Sequence, residues 1–159
     1  MPKEKMVIPL DGSKMGEAAL AYVREMLSRL NLVDRVEVVL VQVVSSLPHP
    51  VAAGGEIMEV PYTEVELEQI RKKAAEYLEQ VAGTLRSVGV EVSCVVRVGR
   101  AAEEIIALSD EISAGLVAMS THGRSGLSQW AFGSVTGRVL RGGHIPVLLV
   151  RAGKETFKE

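Results

Sequence analysis

Apolar residues along this chain switch repeatedly between two periods. Lys5 to Leu10 (KMVIPL) is a short, mostly apolar run that predicts a strand. Behind it Ala18, Ala19, Tyr22, Val23, Met26, Leu27 and Leu30 recur at helical spacing, which predicts a helix over Lys14 to Leu30. Arg35 to Val44 (RVEVVLVQVV) is Val-rich with little polar alternation, the pattern of a strand covered on both faces. Thr63-Glu-Val-Glu66 matches a capping box and opens a long helix to about Val88, with Leu67, Ile70, Ala74, Leu78, Val81 and Leu85 on one stripe and Gly89 as its stop. Val90 to Val98 predicts a third strand. Gly99-Arg-Ala101 turns into a helix that places Ala102, Ile105, Ile106 and Ile112 inward. Leu116 to Met119 is a short apolar strand, Ser134 to Arg141 a short helix stopped at Gly142-Gly143, and Pro146 to Arg151 (PVLLVR) a fifth strand. Ser45 to Tyr62 holds three prolines and two glycines and reads as a long loop, either a lid or a connector.

Five strands alternating with four helices predict an α/β fold: a five-stranded parallel, doubly wound, Rossmann-like sheet with helices on both faces and right-handed crossovers. At 159 residues, a single domain spanning 1–159 is expected. Such sheets bind ligands at the carboxyl ends of their strands, where the strand order reverses. Two strand ends here carry unusual turns, Asp11-Gly-Ser13 with its capping chemistry and Ser120-Thr-His-Gly123, and topology predicts that both line one crevice.

Composition narrows the function classes. The net charge of -2 argues against wholesale binding to nucleic acid or an acidic membrane. No apolar run approaches the roughly 18 residues of a spanning helix, and the first residues are too short an apolar stretch for a signal peptide. A single cysteine, Cys94, leaves no internal disulfide and reads as a buried core thiol. A cytoplasmic domain is expected. From Ile112 to Lys154 there is no Asp or Glu, where the chain's average would put about five. The same stretch carries Arg124, Arg138, Arg141, Arg151 and Lys154 with His122 and His144. Either a buried terminal strand accounts for this, or carboxylates are missing because an anion is held here.

The segment Ser120 to Arg138 (STHGRSGLSQWAFGSVTGR) favours the anion. Up to Gly137 it has four glycines, four serines and two threonines, which offer close backbone approach and hydroxyl donors. Gly123 is followed by nine residues and then Gly133-Ser134. That spacing resembles the G-x2-G-x9-G-[ST] nucleotide motif of the universal stress protein family. Pro9-Leu-Asp11 at the first strand end, Val43 after the second strand, Gly99 with Ile105 six residues on, and the terminal PVLLVR resemble the same family over essentially the whole chain. Two positions depart: Gly115, where many members have Asp before the fourth strand, which carries no functional reading, and the motif's first glycine, which falls on Ser120. A serine there is unstrained in extended backbone but costs about 1–2 kcal/mol in the left-handed region, and its hydroxyl is a candidate donor to a ligand.

The resemblance implies an adenine-nucleotide alpha-hydrolase-like fold and bound ATP, with Mg²⁺ or Mn²⁺ held through the phosphates. AMP and cyclic nucleotides remain open. It places Pro9, Leu10, Asp11, Val43, Met119, Ser120, His122, Gly123, Arg124, Ser125, Gly133, Ser134, Val135 and Thr136 at the nucleotide, with Asp11 and Val43 flanking adenine and ribose. Backbone N–H groups of the Gly123 loop and of the helix starting at Ser134 would face the phosphates, aided by the helix dipole. It also implies a homodimer through Pro146 to Arg151, which would cover an apolar strand edge.

Several of these residues have plainer readings. Asp11 as a helix cap, His122 bonded to backbone, Arg124 as a solvated charge and Gly133-Ser134 as a mere helix start all fit the sequence. Trp130 and Phe132 read as packing beneath the loop, and His49 and His144 receive no role. The chain lacks G-x-x-x-x-G-K-[ST], G-x-S-x-G and a cysteine–histidine signature, and the glycine segment has no carboxylate to position a water. Hydrolysis is therefore expected to be slow, and a stress-response regulatory module is favoured over an ATPase or phosphotransferase. The alternatives are a nucleotide-free dimer acting through protein partners, for which Ser120 speaks, and a flavin domain, against which the 4% aromatic content counts.

Overall fold

The structure, a computed structural model, describes residues 1–122 and 133–153. Its five-stranded sheet is parallel throughout. The strands are β1 (Glu4–Pro9), β2 (Val36–Val44), β5 (Glu91–Val98), β6 (Leu116–His122) and β7 (Val147–Ala152), in the order β5-β2-β1-β6-β7. The crossovers are the helices α1 (Ala18–Arg29), α2 (Glu64–Arg86), α3 (Ala101–Glu111) and α4 (Ser134–Gly142).

The two-residue period of each strand divides the core between the two faces. Met6 and Ile8 of β1 and Leu10 just after it, with Val38 and Leu40 of β2, pack under α1 and α2 against Val23, Leu27, Leu78 and Leu85. Val7, Val39, Val41, Val117 and Met119 point the other way, against Ile105 and Leu108 of α3 and Val139 of α4. Burial of such a side chain contributes roughly 1.5–3 kcal/mol, which is why β2 carries almost no polar residue.

α2 starts as the capping box requires. Thr63 Oγ1 accepts from the Glu66 N–H at 3.2 Å, and Glu66 Oε2 accepts from the Thr63 N–H at 2.8 Å. Those backbone and side-chain bonds from Thr63 hold the Glu66 carboxyl below the ordinary range.

The segment expected to be a long loop is instead a hairpin. β3 (His49–Ala53) and β4 (Glu56–Val60) pair antiparallel as a separate two-stranded sheet. Gly54 and Gly55, at φ 61° and 85°, supply the two left-handed residues of a tight hairpin turn. Pro50 is tolerated because neither strand has a second neighbour to bond. Neither strand contributes to the core, and Leu47, Ile57 and Met58 stay largely exposed.

Cys94 on β5 is half-buried beside α2. Burial, with the Glu79 carboxylate beside it, pushes its thiol from 9.0 up to about 11. The thiol therefore stays protonated at all pH values below about 11, and the reactive thiolate is scarce. At pH 8 a disulfide reagent is expected to label the folded protein about a hundredfold more slowly than the urea-unfolded chain. Equal rates would show an open thiol.

Candidate functional site

The first strand ends in a residue that opens the sheet. The Leu10 N–H donates to Val41 O at 2.8 Å, toward β2, so alternation turns the N–H position of residue 9 toward β6. Residue 9 is a proline and has no N–H to give. The β1–β6 ladder stops at Val7–Val117, although β6 continues to His122. This is also where the strand order reverses, from β2 and β5 on one side of β1 to β6 and β7 on the other. A cleft of about 280 Å³, open to solvent, lies at these strand ends, near the lower end of the usual size range of small-molecule sites.

Most of the residues expected at the site meet there. Pro9, Leu10 and Asp11 come from β1 and its exit, Val43 from β2, and Met119 and Ser120 from β6. Gly133, Ser134, Val135 and Thr136 bring the N-terminus of α4 to the opposite wall. His122 closes β6 and pairs with Ala152 of β7. Gly123, Arg124 and Ser125 lie outside the described residues, as do Trp130 and Phe132. Gly16, Val41, Ala101 and Ile105 also line the cleft and were not expected at a ligand. Gly16 had a signal in DGSKMG, a second glycine just past the turn: a Cβ there would lie 2.8 Å from Asp11 Oδ1.

Asp11 does not cap α1. Its Oδ1 accepts from the Ser13 N–H at 2.9 Å and the Ser13 hydroxyl at 2.6 Å, closing a turn within the β1–α1 connection. The helix begins later than its apolar spacing predicts, with Glu17 as an N-cap whose side chain makes no capping bond. Residues 14–17 are spent on turns, and Lys14 and Glu17 pair at 3.4 Å. The Tyr77 hydroxyl of α2 donates to Glu17 Oε1 at 3.1 Å, and burial raises that phenol above its ordinary range.

Ser120 sits in extended strand, opposite Val150 of β7, so the left-handed cost does not arise. Its hydroxyl donates to Gly16 O at 2.7 Å and accepts from the Ala19 N–H at 2.9 Å. The single hydroxyl hydrogen is thus committed within the protein and is not a donor toward the cleft.

Beside the Asp11 carboxylate, the positive charge at the described walls of the cleft comes from backbone. No Lys or Arg is among its described lining residues. Arg138 pairs with Glu103 of α3 at 3.5 Å, Arg141 lies over Gly137 of its own helix, and Arg151 is exposed on β7. The acid-free stretch therefore does not deliver a described cation to the site. What faces the cleft is the first turn of α4. Gly133 at the N-cap has no side chain to offer the helix, and the first turn holds no acidic residue. The N–H groups of a helix start carry partial positive charge and attract anions.

The model of the universal stress protein family matches residues 3–151. The chain belongs to that family. Among its relatives, universal stress protein MJ0577 of Methanocaldococcus jannaschii is 28% identical over 156 residues, covering 93% of this chain and 94% of that protein. The solved structure of MJ0577 superposes with a TM-score of 0.69 at 23% identity, over 97% of this chain and 99% of that one. The universal stress protein of Archaeoglobus fulgidus, solved in complex with dAMP, superposes at 0.62 with 22% identity, over 94% and 99% of the two chains. A family member from Arabidopsis thaliana, solved with AMP bound, superposes at 0.64 with 14% identity, over 96% and 94%. At these identities the superpositions establish a shared fold. This universal stress protein has no helix among its described residues that is long and apolar enough to cross a membrane.

Proposed function

We propose that this universal stress protein holds an adenine nucleotide in the cleft between β1, β6 and α4, and that it acts as a regulatory module in a stress response rather than as an enzyme. Gly133 carries the reading. At φ -53° and ψ 156° its backbone suits any residue, and no described atom lies within 4 Å of where a Cβ would stand. Neither fold geometry nor packing among the described residues demands a glycine there. A ligand approaching the start of α4 does, because a side chain would occupy its place.

In this reading the N–H groups of the α4 first turn bond the phosphates, each charge-assisted bond contributing roughly 1.5–3 kcal/mol, with Ser134 and Thr136 adding hydroxyls. Leu10, Asp11 and Val43 flank the nucleoside. ATP is the proposed ligand, with Mg²⁺ or Mn²⁺ held through its phosphates. The bound dAMP and AMP of the two solved family members support the adenine part of this assignment. The edge strand β7, whose Val147, Leu148, Leu149 and Val150 are each only partly buried, supports a homodimer formed across it.

The decisive experiment begins with freshly purified protein, denatured and removed so that any released nucleotide can be separated and identified. Stripped protein is then titrated with ATP and Mg²⁺ by calorimetry. One ATP per chain is the expected result. No released nucleotide and no heat up to millimolar ATP would overturn the proposal.

A further inference from the structure

The gap between β1 and β6 has a tie across it. Past Val7–Val117 the backbone ladder is absent, because Pro9 offers no N–H on that side. Three residues further along β6, the Ser120 side chain uses both of its hydrogen-bonding functions, taking the N–H of Ala19 in the first turn of α1 and giving its own hydrogen to Gly16 O in the β1–α1 connection. Gly16 is bound in turn to the other end of the same connection. Its N–H donates to Ser13 Oγ at 3.1 Å, and that hydroxyl donates to Asp11 Oδ1. A continuous chain of hydrogen bonds thus runs from β6 through Ser120, Gly16 and Ser13 to the Asp11 carboxylate at the cleft.

We propose that Ser120 is a positioning residue: its hydroxyl fixes the β1–α1 turn against β6 and so sets where the Asp11 carboxylate stands relative to the N-terminus of α4. The family motif has glycine at this place and can make no such side-chain bond, so the tie belongs to this chain's departure from the motif. It adjoins the cleft without spending a donor on the ligand. The proposal rests on the nucleotide reading above, since the effect on affinity presupposes that Asp11 meets the ligand.

The test is a double-mutant cycle with two readouts. Ser120→Ala removes both bonds while leaving the strand conformation available. Ser120→Gly does the same with the motif's own residue and serves should the alanine variant fold poorly, which thermal melting checks. In ligand-free protein, hydrogen exchange at the Ala19 amide is expected to quicken by at least roughly tenfold, with the amides of β2 unchanged. In calorimetry with ATP and Mg²⁺, each variant is expected to bind about tenfold more weakly than the parent. Asp11→Ala is expected to lose affinity as well, and the Ser120→Ala/Asp11→Ala pair no more than Asp11→Ala alone, because the serine acts through the carboxylate. Unchanged affinity in the serine variants, or additive losses in the pair, would overturn the positioning role and leave nucleotide binding standing. A parent protein that binds no ATP overturns the nucleotide reading itself and the role built on it. An Ala19 amide whose exchange is unaffected shows that no tie exists.

Discussion

Gly133→Val is expected to weaken ATP binding by at least about a hundredfold while leaving the fold nearly as stable as before. The backbone at Gly133 is ordinary, and the space beside it is open among the described residues, so valine meets no clash with any of them. Replacing glycine at an N-cap with a β-branched residue costs about 1 kcal/mol, or about 2–4 °C in melting temperature for a chain of this size. Binding suffers far more. The valine methyl groups would project at the start of α4, between its N–H groups and the phosphates, and several charge-assisted bonds would lengthen together. Calorimetry and thermal melting on the same preparation check both halves. A variant that binds like the parent would show that the glycine leaves its space to nothing. One that unfolds would show that the glycine serves the fold.

Ile8→Ala and Ile57→Ala are expected to differ as sharply as one residue type allows. Ile8 is 0% exposed on the central strand, packed under α1 and α2, whereas Ile57 is 78% exposed on the hairpin. Truncating Ile8 loses apolar burial and leaves a cavity between rigid elements, which costs about 2–5 kcal/mol. Ile57→Ala should stay within about 0.5 kcal/mol. Urea denaturation with an unchanged slope measures both. A comparable cost at Ile57 would mean that the hairpin packs on the core.

Much of this architecture is legible without coordinates because its causes are local. The period of Ala19, Val23 and Leu27, the unbroken valines of β2, the Thr63–Glu66 box and the Gly89 stop each act within a few residues. Those signals place the five sheet strands and four crossover helices to within a few residues at most ends. The hairpin is legible too, in Gly54-Gly55 between Val51 and Ile57, but the three prolines of 45–62 point to a loop, and only Pro50 falls within a strand. Proline breaks a strand only where its N–H is needed, and in a two-stranded sheet the outward-facing N–H groups have no strand to bond. Strand β6 runs three residues beyond its apolar core, through Ser120, Thr121 and His122, because β7 offers those residues a ladder. No periodicity in β6 itself records that.

The site divides along the same line. Residue type and spacing alone determined that glycines, hydroxyls and one aspartate stand at the ends of two strands, and the rule of strand reversal brings those ends together. Tertiary structure decided what each group does. Ser120 lies 101 residues from Ala19 and turns its hydroxyl to that amide only because β1 and β6 are neighbours whose ladder fails at Pro9. Arg138, one of the cations of the acid-free stretch, pairs with Glu103 because α3 and α4 pack side by side. Sequence proximity governs backbone conformation, which depends on the nearest few residues. Hydrogen-bond partners and ion pairs depend on distances of a few ångströms between segments far apart in the chain, and only the packed sheet sets those.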